Sequence, residues 1–138
     1  MTSILKSLRA LADATRLRIL ALLAAEELSV NELQEITRLG QSRISTHLGL
    51  LAECGLVQSR RDGKRTFYRL RARPRGVAAE IMPLVVAGAK ELPECADDEV
   101  NLKRLLARLR EQAQVYFNQV AGRFDRDLVE IDLEIGRA

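Results

Sequence analysis

Hydrophobic and polar positions follow a helical period over most of this 138-residue chain. Leu5, Leu8 and Leu11 recur every three residues and predict a short first helix. Asp13 stands where an N-cap is needed, and Leu17, Leu20 and Leu23 then share one face of a second helix. Ser29 and Glu32 form an S-x-x-E capping box, which predicts a third helix through Leu33 and Ile36. After Gly40, Ser42 is the expected cap of a fourth helix carrying Ile44, Leu48 and Leu51. Gly55 then falls where a left-handed C-terminal cap belongs.

The pattern changes at "LVQSRR" and "KRTFYRL", two β-rich runs around Asp62-Gly63. Such a dipeptide predicts a hairpin, with Asp62 and Gly63 as the central positions of a type I′ turn. Helical spacing returns after Pro74 with Val77, Ile81, Leu84, Val85 and Leu92, and Pro83 is expected to kink or split this segment. "LPECADDEV" predicts a break, with Asp97 as the cap of the next helix. Leu102, Leu106, Leu109, Ala113, Tyr116 and Val120 then step alternately by four and three, a heptad seam on a long helix. The last residues, "DLVEIDLEIGRA", lack clear caps and are expected to fray, and no internal repeat appears. The expected fold is mainly α with a β-hairpin: a winged helix-turn-helix at 1–75, and a helical dimerisation segment and C-terminal extension at 76–138, ending in the long helix.

Composition narrows the partners. The net charge is only +3, but residues 38–75 hold ten basic and two acidic groups, a local +8 between acidic flanks of −1 and −4. That block is an electrostatic footprint for a polyanion. No apolar run approaches the roughly 20 residues of a membrane span, and the charged N-terminus lacks a signal-peptide cleavage site. Cys54 and Cys95 are too few for a disulfide framework, so a reducing cytoplasm is expected, with no membrane partner. Carboxylates cluster in "DDEV" and "EIDLE" without a nucleophilic or basic partner. They read as solvated faces, so no enzymatic activity is expected.

On a helical wheel centred on Ile44, Leu48 and Leu51 face the core. Ser42, Thr46, Gly49 and Glu53 lie opposite, Arg43, Ser45 and Leu50 lie on the flanks, and His47 sits at the core boundary. A helix, a tight turn and a second helix with a polar N-terminal face is the arrangement that lays a helix in the major groove of DNA. The basic hairpin with Arg60, Arg61, Lys64 and Arg65 would then be a wing against the flanking backbone.

"ALADATRLRILALL", "LSVNEL", "SRISTHLGLLAECGLV" and "RRDGKRTFYRL", from about Leu8 to Leu70, resemble the ArsR/SmtB family of winged-helix repressors. The resemblance implies a homodimer built on the first and last helices, bound to an inverted-repeat operator in double-stranded DNA and released by an inducer. It assigns Gln41, Ser42, Arg43, Ser45, Thr46 and His47 to the reading helix. His47 matches the family's S-x-H-L histidine, either reading a base or anchoring the helix or a phosphate. The family's Cys-x-Cys inducer positions are Ser29 and Asn31 here, neither of which is a thiolate, and the final helices contain no histidine. No metal or other cofactor is therefore expected. A small-molecule inducer, or a redox inducer acting through Cys54 and Cys95, stays open. "LLARLREQAQVYFNQVAGRFDRD" further resembles the connecting helix of ArsR proteins fused to an S-adenosylmethionine-dependent methyltransferase, which gives an alternative reading as part of such a fusion. Simple helix packing is the expected role of Tyr116, Phe117 and Phe124.

Overall fold

A computed structural model describes the backbone of residues 3–73 and 76–136 and the side chains of 4–73 and 76–126. Its helix boundaries follow local capping chemistry. After α1 (Ser3–Leu11), α2 (Ala14–Ala25) begins at Asp13, whose carboxylate accepts a hydrogen bond from the Arg16 backbone N–H at 3.0 Å. α3 (Val30–Thr37) opens on the predicted box. The Ser29 hydroxyl accepts from the Glu32 N–H at 3.2 Å, and the Glu32 carboxylate accepts from the Ser29 N–H at 2.9 Å. Two otherwise orphaned donors are thereby satisfied. Ser29 also ends β1 (Leu28–Ser29), a two-residue strand that the hydropathy pattern is too short to reveal.

α4 (Gln41–Glu53) starts two residues earlier than expected. Its N-cap is Gly40, without a side-chain cap, so Ser42 lies inside the first turn instead of capping it. Gly55 has φ +75, as a left-handed termination after α4 requires. β2 (Val57–Asp62) and β3 (Arg65–Leu70) pair antiparallel with Asp62 opposite Arg65, which makes Gly63-Lys64 the connecting pair. Gly63 has φ +62 and Lys64 is not in the positive-φ region, the sign pattern of a type II′ turn. The expected type I′ turn over Asp62-Gly63 is thus shifted by one residue, because a single glycine supplies the single positive φ. β1 joins the other edge of β3, Leu28 opposite Tyr68 and Ser29 opposite Phe67, giving the order β1-β3-β2.

α5 (Val77–Ala89) runs through Pro83 without splitting. α6 (Pro93–Gly136) begins at Pro93, not after Asp97: proline is well placed in a first helical turn, where its missing N–H is no loss. Cys95 therefore lies in the first turn of α6, and the break is confined to Lys90–Leu92. The helical backbone continues to Gly136, through most of the segment expected to fray, while the side chains of "EIDLE" lie outside the described residues.

The chain forms two units, Met1–Lys103 and Arg104–Ala138. In the first, Ile19, Leu20, Leu33, Ile36, Ile44, Leu48 and Leu51 are fully buried where α2, α3 and α4 meet beneath the sheet strands. Leu5 and Leu8 are exposed, although their spacing suggested a core face, as are Val77 and Leu84 on α5. The start of α6 is held by a link of a different kind. Asp98, only 3% exposed, accepts two hydrogen bonds from the Arg18 guanidinium, both at 2.8 Å, and Asn101 donates to the Ile36 carbonyl at 2.8 Å. The expectation of a solvated "DDEV" thus fails at Asp98, whose charge is buried because it has a bidentate partner, while Asp97 and Glu99 are exposed. In the second unit, Leu105 is buried and Leu106 and Leu109 are half-buried. Tyr116, Phe117 and Phe124 are 69%, 68% and 63% exposed in the single chain. The architecture is a winged helix-turn-helix followed by a long helix.

Candidate nucleic-acid interface

α4 is fixed by three apolar side chains and offers the rest. Ile44, Leu48 and Leu51 have no exposure, while Gln41, Ser42, Arg43, Ser45 and Thr46 are all exposed. With Gly40 lacking a capping side chain, the first-turn N–H groups of α4 are left for an external acceptor. Such a turn attracts phosphate. The Thr46 hydroxyl donates to the Ser42 carbonyl at 2.8 Å, which leaves its oxygen free to accept.

Two of the expected readers are tethered to α2. Arg43 donates to the Thr15 hydroxyl at 3.1 Å. His47, half-buried, places Nδ1 3.4 Å from a guanidinium nitrogen of Arg16. Arginine can only donate, so Nδ1 accepts and the neutral ring carries its proton on Nε2. Burial pushes the His47 pKa below the ordinary histidine value. The positive charges of Arg16 and Arg43 add to this, and Asp13 opposes it. Arg16 also donates to the carbonyls of Ala10 at 2.5 Å and Arg9 at 3.1 Å, tying the end of α1 to α4 through one side chain. Asp13 feels burial as a rise, but the Arg16 N–H and the charges of Arg16 and His47 outweigh it and hold its carboxyl below the usual range.

The wing divides. Lys64 and Arg65 at its tip are exposed and have no ion-pair or hydrogen-bond partner among the described side chains. Arg61 reaches the Gly63 carbonyl at 3.4 Å. Arg60, at the root, is engaged: it pairs with Glu27, lies 5.0 Å from the Phe67 ring centre, and sits 3.6 Å from Asp62. Its hydrogen bond holds the Glu27 carboxyl below the ordinary range, and Glu27 raises Arg60 in turn. Thr15 and Arg16 lie within the segment "ALADATRLRILALL" but were not singled out there, and Glu27 carried no motif at all.

The family's inducer positions are differently occupied. Ser29 is the buried cap of α3 and Asn31 is exposed. Among the described residues no three His, Cys, Asp or Glu side chains cluster as metal ligands. Cys54 closes α4 and borders Ser7, Arg71 and the start of α5. Cys95 instead sits near Arg18 and Asp98, with its thiol pushed up by burial and by Asp98. No helix among the described residues is long and apolar enough to cross a membrane.

Comparison with known proteins converges on one family. Residues 13–59 match the pattern of the bacterial regulatory protein, arsR family. The HTH-type transcriptional regulator KmtR of Mycobacterium tuberculosis is 50% identical over 62 residues, 45% of this chain and 48% of that protein. Reduced HlyU of Vibrio cholerae, named a transcriptional activator, superimposes with a TM-score of 0.53 at 35% identity, over 60% of this chain and 84% of that one. The homodimeric winged helix-turn-helix DNA-binding domain of a Mycobacterium bovis protein, solved in solution, gives 0.54 at 33% identity, over 66% and 82%. The chain spans about half the length of the curated relatives it matches. From the capped α2 to the root of the wing, the chain belongs to the ArsR family of bacterial regulatory proteins.

Proposed function

We propose that the chain is a homodimeric, sequence-specific DNA-binding transcriptional repressor that an inducer releases from an inverted-repeat operator. The observation that carries this reading is α4, pinned by Ile44, Leu48 and Leu51 while Gln41, Ser42, Arg43, Ser45 and Thr46 stand exposed. Family membership supports it. Arg43 is the reader of base edges: released from Thr15, its guanidinium can meet guanine bidentately, worth about 1–3 kcal/mol of discrimination. Lys64 and Arg65 are clamps on phosphate, which positions the protein without reading sequence. The second copy covers the exposed Ile4, Leu5 and Leu8 of α1 and, on α6, the part of the heptad seam from Leu106 to Val120, Leu102 being buried in its own chain.

The test is a fluorescence titration of the duplex immediately upstream of the protein's own gene against a scrambled duplex. The expected operator is an imperfect palindrome with half-sites about one helical turn apart. Arg43→Ala should erode the preference for the operator. Lys64→Ala should weaken both duplexes alike and lower the salt slope by roughly one unit. Equal affinity of the unaltered protein for both duplexes refutes the reading. Because HlyU is named an activator, the sign of regulation is read separately: deletion of the gene should raise transcription from that promoter.

A further inference from the structure

Where α1, the end of α4 and the start of α5 approach one another, a cleft of about 280 Å3 is lined by Ser7, Cys54, Gly55, Arg71, Val77 and Ala78. That volume lies at the lower edge of the roughly 300–1,000 Å3 of ligand-binding clefts and suits a small metabolite. Three polar features converge there. Ser7 is 7% exposed, and its hydroxyl has no hydrogen-bond partner among the described residues. Among the described residues no side-chain oxygen is both buried and unpartnered, so the Ser7 hydroxyl is reached by solvent and can exchange that contact for a ligand. Arg71 comes directly after β3, with its backbone N–H held by the Leu56 carbonyl at 3.0 Å, and its guanidinium has no carboxylate partner among the described residues. One nitrogen of that guanidinium lies over the bare Cα of Gly55, where an added Cβ would come within 3.4 Å. Finally, α5 starts at Gly76 without a side-chain cap; the Ala79 N–H is taken by the Gly76 carbonyl at 3.2 Å, while Val77 and Ala78, the first two residues at the positive end of the helix dipole, line the cleft. The carboxylate that also lines the cleft, Glu53, is paired with Lys6 at 3.9 Å.

We infer that this cleft binds a small ligand through an oxyanion group, a carboxylate or a phosphate, held by Arg71, the Ser7 hydroxyl and the N–H groups of Val77 and Ala78. Cys54 lies about 18 Å along the helix axis from Ser42, twelve residues at 1.5 Å each. The ligand therefore does not occupy the DNA-facing turn. It acts by shifting α4 against α1 and α5. That effector role rests on the DNA-binding reading above, whereas the binding site does not.

The probes are inorganic phosphate and benzoate, titrated into the full chain without DNA against a chloride control of equal ionic strength. Amide resonances of Gly55, Val77 and Ala78 should shift saturably with one or both probes, at a dissociation constant on the order of 1 mM for so small a molecule. A bound probe should also slow iodoacetamide alkylation of Cys54 and leave Cys95 unaffected. Arg71→Gln, at an exposed position that should not disturb folding, should weaken binding about ten- to hundredfold, and Ser7→Ala should weaken it less. Which probe binds identifies the oxyanion. No saturable shift with either probe, or unchanged affinity in Arg71→Gln, overturns the site. If a saturating probe leaves DNA affinity unchanged at matched salt, the effector role is wrong. A protein that binds probe but no DNA refutes the earlier reading and leaves the site standing.

Discussion

Removing the carboxylate of Asp98 tests the claim that one buried ion pair fastens the start of α6 to α2. The Asp98 side chain is 4% exposed and that of Arg18 13%, and two hydrogen bonds of 2.8 Å join them. In Asp98→Ala, Arg18 keeps only its 3.3 Å bond to the Thr37 carbonyl and remains largely out of water. Breaking a buried pair by deleting one partner costs about 3–5 kcal/mol. Because Thr37 and residual solvent still serve the guanidinium, the low end, about 3 kcal/mol, is expected here. For a unit of roughly 100 residues that corresponds to a melting temperature lower by about 12 °C. The assay is urea unfolding followed by circular dichroism, with Asp98→Ala, Arg18→Met and the double variant Arg18→Met/Asp98→Leu. The double variant should recover most of the loss, since neither charge is then buried alone. A cost below about 1 kcal/mol for Asp98→Ala, or a double variant as unstable as the two single losses added, would show that the pair does not fasten the helix.

Replacing both Leu106 and Leu109 with Glu should produce monomers or aggregates in light scattering, and an unchanged dimer would mean that the α6 seam serves its own subunit. The lowered pKa of His47 gives a signed pH dependence. The folded protein prefers the neutral ring, so stability is full above the ordinary histidine value of about 6.5 and falls as pH drops below it. His47→Gln should flatten that slope in urea unfolding between about pH 7 and 5, and a slope that persists places the titration elsewhere. Arg38 holds φ 62 and ψ 23 just past α3, so Arg38→Gly should raise stability by about 0.5–1 kcal/mol, and a loss would show that the exposed side chain contributes more than the strain costs.

What the sequence made legible was local. The Asp13 cap, the Ser29–Glu32 box and the Gly55 termination each join groups within three residues or concern a single φ, so they are written in adjacent letters. Ile44, Leu48 and Leu51 were legible because one helical period fixes their face. The same logic identified the exposed residues of α4 as candidates from the letters alone. It failed where partners are distant. Arg18 and Asp98 are 80 residues apart, Arg60 and Glu27 are 33 apart, and no spacing rule connects them. It also failed by one or two residues. One glycine, not an Asp-Gly pair, shapes the hairpin turn, and Gly40 rather than Ser42 precedes α4, because backbone geometry chose between neighbouring residues of similar aptitude. The exposed Tyr116, Phe117 and Phe124 show a third limit: an apolar stripe announces burial without naming what covers it.

Glu27 occupies, in the free protein, the seat on Arg60 that a phosphate oxygen would take. The wing therefore carries an internal competitor for one of its cations, and the +8 of residues 38–75 overstates the charge the free wing offers. On the DNA-binding reading proposed above, seating Arg60 on a phosphate would release a counterion in exchange for an exposed ion pair of small worth. Glu27 would then act as a place-holder, keeping the Arg60 guanidinium oriented at the wing until a phosphate takes over its seat.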